Sequence, residues 1–238
     1  MLSDESLPVR LMSTIWADTD GVHDDLRTTA DVDAWLDAVG LDRAGAHATE
    51  SELANARALR DAVRRLAGYV TRDSRPAAVS AMTDVAAALD RVNSAVAELP
   101  APLLTLRDSR LELGTRGGAS PVTTGLARVA EQAAGLLGGE DAARLRACYA
   151  PGCVLYFIKT HPRREWCSVA CGNRVRAARH YQRARTAITR SDGYAPCKGT
   201  SVRSLSRRIA APRPKREWRT GDPDEGRASG EAQPRSLA

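Results

Sequence analysis

Cys148-Tyr-Ala-Pro-Gly-Cys153, followed after thirteen residues by Cys167-Ser-Val-Ala-Cys171, decides how this chain of 238 residues is to be read. Two close cysteine pairs joined by a short span are what a tetrahedral four-sulfur zinc site requires. Each pair forms a knuckle that brings two sulfurs to ~2.3 Å from one ion, and the span between them folds back. Cys148, Cys153, Cys167 and Cys171 are therefore the expected ligands of one Zn2+. Disulfides are the competing reading. The first residues, Met-Leu-Ser-Asp-Glu-Ser, are acidic and carry no apolar signal core, so a cytoplasmic, reducing location is expected and zinc is favoured. The fifth cysteine, Cys197, lies far downstream and is left out of the site, as is His161 in the span.

The spacing also sketches the local fold. Pro151-Gly152 tightens the first knuckle, Val154 to Ile158 reads as a strand, and Lys159 to Arg164 turns the chain. Ser168 is a natural N-cap, which places Cys171 in the first turn of a helix, where free N–H groups and the helix dipole favour a thiolate. That helix runs on through Val175, Ala178 and Tyr181. A knuckle, a hairpin and a second knuckle at a helix start make a treble-clef-like finger over residues 141–187. Tyr156, Phe157, Trp166 and Tyr181 are expected to fill its core.

Upstream, helical periodicity dominates. Val32, Trp35, Leu36 and Val39 recur at i, i+3, i+4 and i+7, with Gly40 as the stop. A second helix spans about Glu50 to Val70, with Leu59, Ala62, Val63, Leu66 and Val70 on one stripe and Arg57, Arg60 and Arg64 assigned to solvent. A third is expected from Val79 to Leu99, closed by Pro100 and Pro102. Leu104-Thr-Leu106 and Leu111-Glu-Leu113 alternate around Arg107-Asp-Ser-Arg110 and predict a small β-hairpin. Ser120 and Pro121 open a fourth helix that Gly138-Gly139 ends. Val9 to Trp16 is an apolar patch of undecided type, and Asp18 to Arg27 reads as polar loop. The fold class is mainly α: a helical domain over 1–140 with one hairpin, the zinc finger, and a disordered basic tail over 188–238.

Charge is polarised along the chain. Residues 1–158 carry a net −6, residues 159–190 a net +8 and residues 191–238 a net +4. An acidic body with a basic final third points to a polyanionic partner. No stretch approaches the ~20 apolar residues of a membrane helix, so no membrane role is expected. Four cysteines would close the zinc shell and leave no open position, and no nucleophile–base pair or phosphate loop stands out, so an enzyme is not expected.

The run Trp166-Cys167-Ser168-Val169-Ala170-Cys171-Gly172-Asn173-Arg174 resembles the CGNR zinc-finger family, whose name stands here as Cys171 to Arg174. Cys148, Cys153, Phe157, Arg163-Arg164 and the basic run to Arg185 fit the same pattern. Trp35-Leu36 with Gly40-Leu41, Ala58-Leu59-Arg60, and Leu89-Asp90-Arg91-Val92-Asn93 are similar to the ABATE domain that usually precedes this finger. Together the two resemblances imply a bacterial, stress-responsive transcription regulator.

Two function classes follow. In the first, the finger binds DNA. Arg176, Arg179 and Arg183 share one face of the helix after Cys171, Arg163 and Arg164 project from the turn, and Arg174 is an added contact that also braces the finger. The N-terminal domain is then a sensor of a small-molecule ligand or a homodimerisation unit. In the second, the finger is a zinc-stabilised protein-interaction module, and the basic helix meets an acidic surface such as the protein's own body. RNA binding ranks below both, because the aromatics are assigned to the core.

Overall fold

Helix caps set the frame of the N-terminal region. The computed structural model describes residues 4–78 and 80–191. Helix α1 (Leu7–Met12) leads into a short antiparallel pair, β1 (Ile15–Ala17) with β2 (Val22–Asp24). The stretch read as a polar loop thus contains a strand, with Trp16 stacked on His23 across the pair. Helix α2 (Thr29–Val39) opens on a capping box between Thr28 and Asp31 and ends at Gly40, whose φ of 76° is the left-handed conformation that glycine adopts without strain. Helix α3 (Glu50–Thr71) opens on a second capping box, Thr49 with Glu52. The Glu52 carboxylate also accepts from the hydroxyls of Ser120 and Thr123, tying the start of α3 to the start of α5 (Pro121–Gly138).

Helix α4 (Val85–Ala97) is shorter than its periodicity suggests. Asp84 caps it and a single 3₁₀ turn occupies Pro76–Ala78, while Val79 itself lies outside the described residues. Helices α3, α4 and α5 pack on one another, and α1 and α2 lie across them. Val9, Leu11, Val32, Leu36, Leu59, Val63, Val122 and Val129 fill the core between them. Strands β3 (Ala101–Arg107) and β4 (Arg110–Arg116) form the expected hairpin, turning through Asp108 and Ser109. Its strands are exposed almost throughout, and Leu104, Leu106, Leu111 and Leu113 line one face at 62% to 77% exposure.

The arginine row of α3 corrects the sequence reading. Arg60 and Arg64 are only 4% and 3% exposed. Arg60 donates to both carboxylate oxygens of Asp24 at 2.6 and 3.0 Å, and Arg57 donates to the carbonyls of Leu26 and Arg27. The segment from α1 to β2 lies over this side of α3, so the row that periodicity set opposite the apolar stripe is covered.

The chain then enters the finger without leaving the core. Strand β5 (Leu145–Ala147) pairs antiparallel with β6 (Tyr156–Ile158), and Leu145, Ala147 and Tyr156 belong to the same apolar cluster as the helices. The hairpin therefore encloses the first knuckle instead of following it. Helix α6 (Val169–Ser191) closes the described part. It runs four residues past the expected end of the finger. The tail expected over 188–238 lies outside the described residues from Asp192 onward, as does Cys197.

Candidate metal centre

The first knuckle forms at the tip of the β5–β6 hairpin. Gly152 sits at φ 71°, in the left-handed region, so the chain reverses between Cys148 and Cys153 and Cys153 N–H donates to the Ala150 carbonyl at 2.9 Å. Cys148 N–H donates to the Leu155 carbonyl at 3.0 Å, which closes the turn. The second knuckle is the first turn of α6. Ser168 Oγ accepts from Cys171 N–H at 3.2 Å, the cap that the sequence predicts.

All four Sγ atoms are buried and lie within 4.8 Å of one another. Cys153 and Cys167 sulfurs are 3.8 Å apart, and those of Cys167 and Cys171 are 3.4 Å apart. A tetrahedron of ~2.3 Å zinc–sulfur bonds has edges of about 3.8 Å, so the cage has the size zinc needs. Four cysteines without oxygen or nitrogen donors suit Zn2+ and leave no open coordination position, which is the pattern of a structural site. When bound, the ion supplies a crosslink between the two knuckles and no chemistry of its own.

The sulfurs are in electrostatic conflict with one another. Hydrogen bonds from the thiols of Cys153 and Cys167 draw Cys148 down to about 2, helped by backbone N–H groups of Cys167 and Ala150. Donating to Cys148 pushes the Cys153 thiol up to about 12 and Cys167 upward as well, with burial and the charge on Cys148 adding to both. A divalent cation removes this conflict by taking all four as thiolates. Arg174 contributes positive charge on the outside, its Nη2 donating to Cys171 Sγ at 3.0 Å.

The remaining residues of the Cys171–Arg174 motif divide the work. A Cβ at Gly172 would lie 3.3 Å from the Trp166 ring, so glycine lets the indole close over the cage. Asn173 accepts from Arg176 and steadies the first basic side chain of the exposed face. Phe157 and Val175 complete the small apolar cluster around the cysteines.

Arginines from outside the finger hold it from behind. Arg75, just after α3, donates through Nη1 to the carbonyls of Cys148, Cys153 and Leu155 at 2.8, 3.0 and 3.2 Å. Its charge is balanced by Asp73 at 2.6 Å, and Asp73 also accepts from the Tyr156 hydroxyl at 2.7 Å. Arg64 bridges the carbonyls of Met12 and Val154. Nothing in the sequence pattern marks Arg75 or Asp73, because their partners in the finger lie more than seventy residues away.

The basic residues expected to reach a polyanion separate into two groups. Arg164 is engaged inside the molecule: it pairs with Glu5 at 2.6 Å, donates to the Ile158 and Cys167 carbonyls and lies over the Phe157 ring. Arg174 faces Cys171, as its helical position suggests. Arg163, Arg176, Arg179 and Arg183 are exposed. Every residue from Arg179 to Thr186 is exposed. Tyr181 is 66% exposed and takes no part in the finger's core, contrary to the sequence reading, because the cluster around the cysteines ends at Val175.

No helix among the described residues is long and apolar enough to cross a membrane. Comparison with curated proteins finds no match. A family profile for the CGNR zinc finger matches residues 144–184, the segment that brings the four sulfurs together. A second profile, for ABATE, described as a putative stress-induced transcription regulator, matches residues 5–140. Neither is an enzyme family. With more than half its length in the second match, the chain belongs to the ABATE family and carries a CGNR zinc finger directly after that domain.

Proposed function

We propose that this protein is a zinc-dependent DNA-binding regulator in which α6 is the contacting element. The observation that carries the reading is the exposed basic face of that helix. Arg176, Arg179 and Arg183 recur at i, i+3 and i+7, none is buried, and the zinc cage holds the helix at its first turn. A helix of 23 residues is about 34 Å long, enough to reach beyond the body and lie against a duplex. Arg163 is an additional contact from the turn. Arg164 and Arg174 act as braces in this reading, because their guanidinium groups already have partners inside the finger. Residues 1–140 are proposed as a separate sensing or dimerising domain, and 141–187 as the DNA-binding one.

The test is gel retardation of genomic duplex fragments by zinc-loaded protein at ~50 mM salt, where phosphate contacts are strongest. Changing Arg176, Arg179 and Arg183 together to Ala is expected to abolish retardation with zinc still bound one per chain. If the intact protein retards no duplex, the DNA reading fails. The alternative, a zinc-stabilised protein-interaction module without nucleic-acid binding, then stands. It draws on the four exposed leucines of the β3–β4 hairpin, an apolar face that the described residues leave uncovered.

A further inference from the structure

Behind the knuckle, a cavity of about 200 Å³ opens between α3 and β6, lined by Arg64, Arg65, Asp73, Arg75, Ser80 and Tyr156, among others. Its charges do not balance. Arg75 is paired with Asp73 at 2.6 Å. Arg64 donates only to backbone carbonyls, those of Met12 and Val154, and Arg65 donates through Nε to the Thr83 carbonyl at 2.6 Å. Among the described residues neither Arg64 nor Arg65 forms an ion pair, so two positive charges face the cavity without a counter-ion.

Burial is costly for such a group. Arg64 is 3% exposed, and a guanidinium cannot shed its proton to escape the cost of desolvation. Desolvation, with the nearby Arg60 and Arg75, lowers its pKa against the opposing pull of Tyr156 and of the Asp61 carboxylate. The Tyr156 ring compensates in part, with the guanidinium carbons of Arg64 and Arg75 lying 5.6 and 5.1 Å from its centroid. A ring face carries no net charge, and Asp61 is already paired with Arg60 at 3.2 Å, so Arg64 and Arg65 still lack an anion of their own. Two arginine forks suit a tetrahedral oxyanion of charge near −2, which is what a phosphate group carries at neutral pH. A volume of about 200 Å³ is below that of a cavity for a whole drug-sized ligand and sufficient for such a head group.

We propose that this cavity binds the phosphate group of a small free metabolite, gripped by Arg64 and Arg65 with Arg75 completing the wall. Two of the three arginines also hold carbonyls of the first knuckle, so the occupant sits where the ABATE domain meets the finger. The proposal does not depend on the DNA reading.

The experiment is a calorimetric titration of the zinc-loaded full chain with sodium phosphate, against sodium chloride at matched ionic strength. Saturable binding at one site, with sulfate competing, is expected. Arg65 is half-buried at the rim, so Arg65→Gln is expected to melt cooperatively, to keep its zinc and to lose at least tenfold in phosphate affinity. Changing Arg176, Arg179 and Arg183 together to Ala is expected to leave phosphate affinity unchanged. Absence of saturable binding, an unaltered Arg65→Gln, or loss of binding in the α6 variant each overturns the site. Side-chain Nε–H signals in the unsubstituted protein give an independent readout: phosphate must shift that of Arg65, and no shift overturns the proposal. Duplex affinity separates the two sources of phosphate. Arg65→Gln is expected to retard DNA as the parent does, whereas a parallel loss would assign the cavity to the DNA backbone and overturn the free-metabolite reading.

Discussion

Arg75 Nη1 lies 2.8 Å from the carbonyl oxygen of Cys148, although 73 residues separate the two in the chain. The same nitrogen reaches the carbonyls of Cys153 and Leu155, so one guanidinium from the ABATE domain gathers three acceptors of the zinc knuckle. A planar fork with fixed donors can do this, and a lysine ammonium on a flexible stem cannot hold the same geometry. The first knuckle is therefore shaped partly by a residue outside the finger.

Arg75→Ala is expected to destabilise the protein by about 3–5 kcal/mol, because it leaves Asp73 buried without its cation and removes the donor of three carbonyls. Chelator extraction of zinc should accelerate at least tenfold, and Arg75→Lys should recover only part of the loss. Denaturant melts with a colorimetric zinc assay measure both effects. An extraction rate equal to that of the parent would show that the knuckle does not need this support.

One zinc per chain is expected by metal analysis, and Cys167→Ser should abolish it, since each of the four sulfurs is a vertex of one cage. The metal is worth roughly 10 kcal/mol of apparent folding energy to such a finger. Cys197→Ser should leave the stoichiometry at one.

Arg60→Ala is expected to cost about 2 kcal/mol, because Asp24 loses the two hydrogen bonds from Arg60 while keeping that from Leu26 N–H and some access to water. Arg128→Ala, on the exposed side of α5, should change stability by less than about 0.5 kcal/mol. Equal melts for the two variants would restore the solvated reading of the α3 row.

A chain ending at Gly139 is expected to melt cooperatively, since the stripes of α1 to α5 meet within it. Its midpoint should fall below that of the full protein, because Leu145, Ala147 and Tyr156 leave the shared core. Calorimetry distinguishes this from a chain with no transition, which would make the two matched segments one folding unit.

Asp73 and Tyr156 make stability depend on pH at both ends. Burial alone would raise the Asp73 carboxyl, but hydrogen bonds from Arg75 and Tyr156 outweigh it and hold the group below the ordinary value of 3.8. Its contribution is thus fully present above about pH 4 and is lost as pH falls through the lowered value. Burial, then the hydrogen bond to Asp73, pushes the Tyr156 phenol up to about 12. That contribution is present below about pH 10 and disappears as pH rises toward 12. Tyr156→Phe should flatten the alkaline limb of a stability profile measured by denaturant melts, and Asp73→Asn the acid limb.

The legible parts were those whose cause is local. The cap of α5 at Ser120, the stop of α2 at Gly40, the β3–β4 hairpin and the Ser168 cap before Cys171 each depend on neighbours within a few residues. The start of α4 is not legible, because an apolar period continues upstream of Asp84, whereas the Asp84 cap sets the boundary. Tyr181 shares a helical side with Cys171 yet is exposed, because periodicity does not say how far along a helix its partner extends.

By itself the sequence determined which four sulfurs could share an ion and that the basic charge is concentrated beyond residue 158, because ligand spacing and charge are written directly in the order of residues. Only the tertiary structure decided that Arg60 and Arg64 are buried, that Arg164 braces the finger while Arg179 and Arg183 face water, and that Arg75 holds the zinc knuckle. A residue's type and period state which side of an element it occupies. What covers that side is supplied by chain brought in from 36, 90 or 73 positions away, and that proximity exists only once the core has closed.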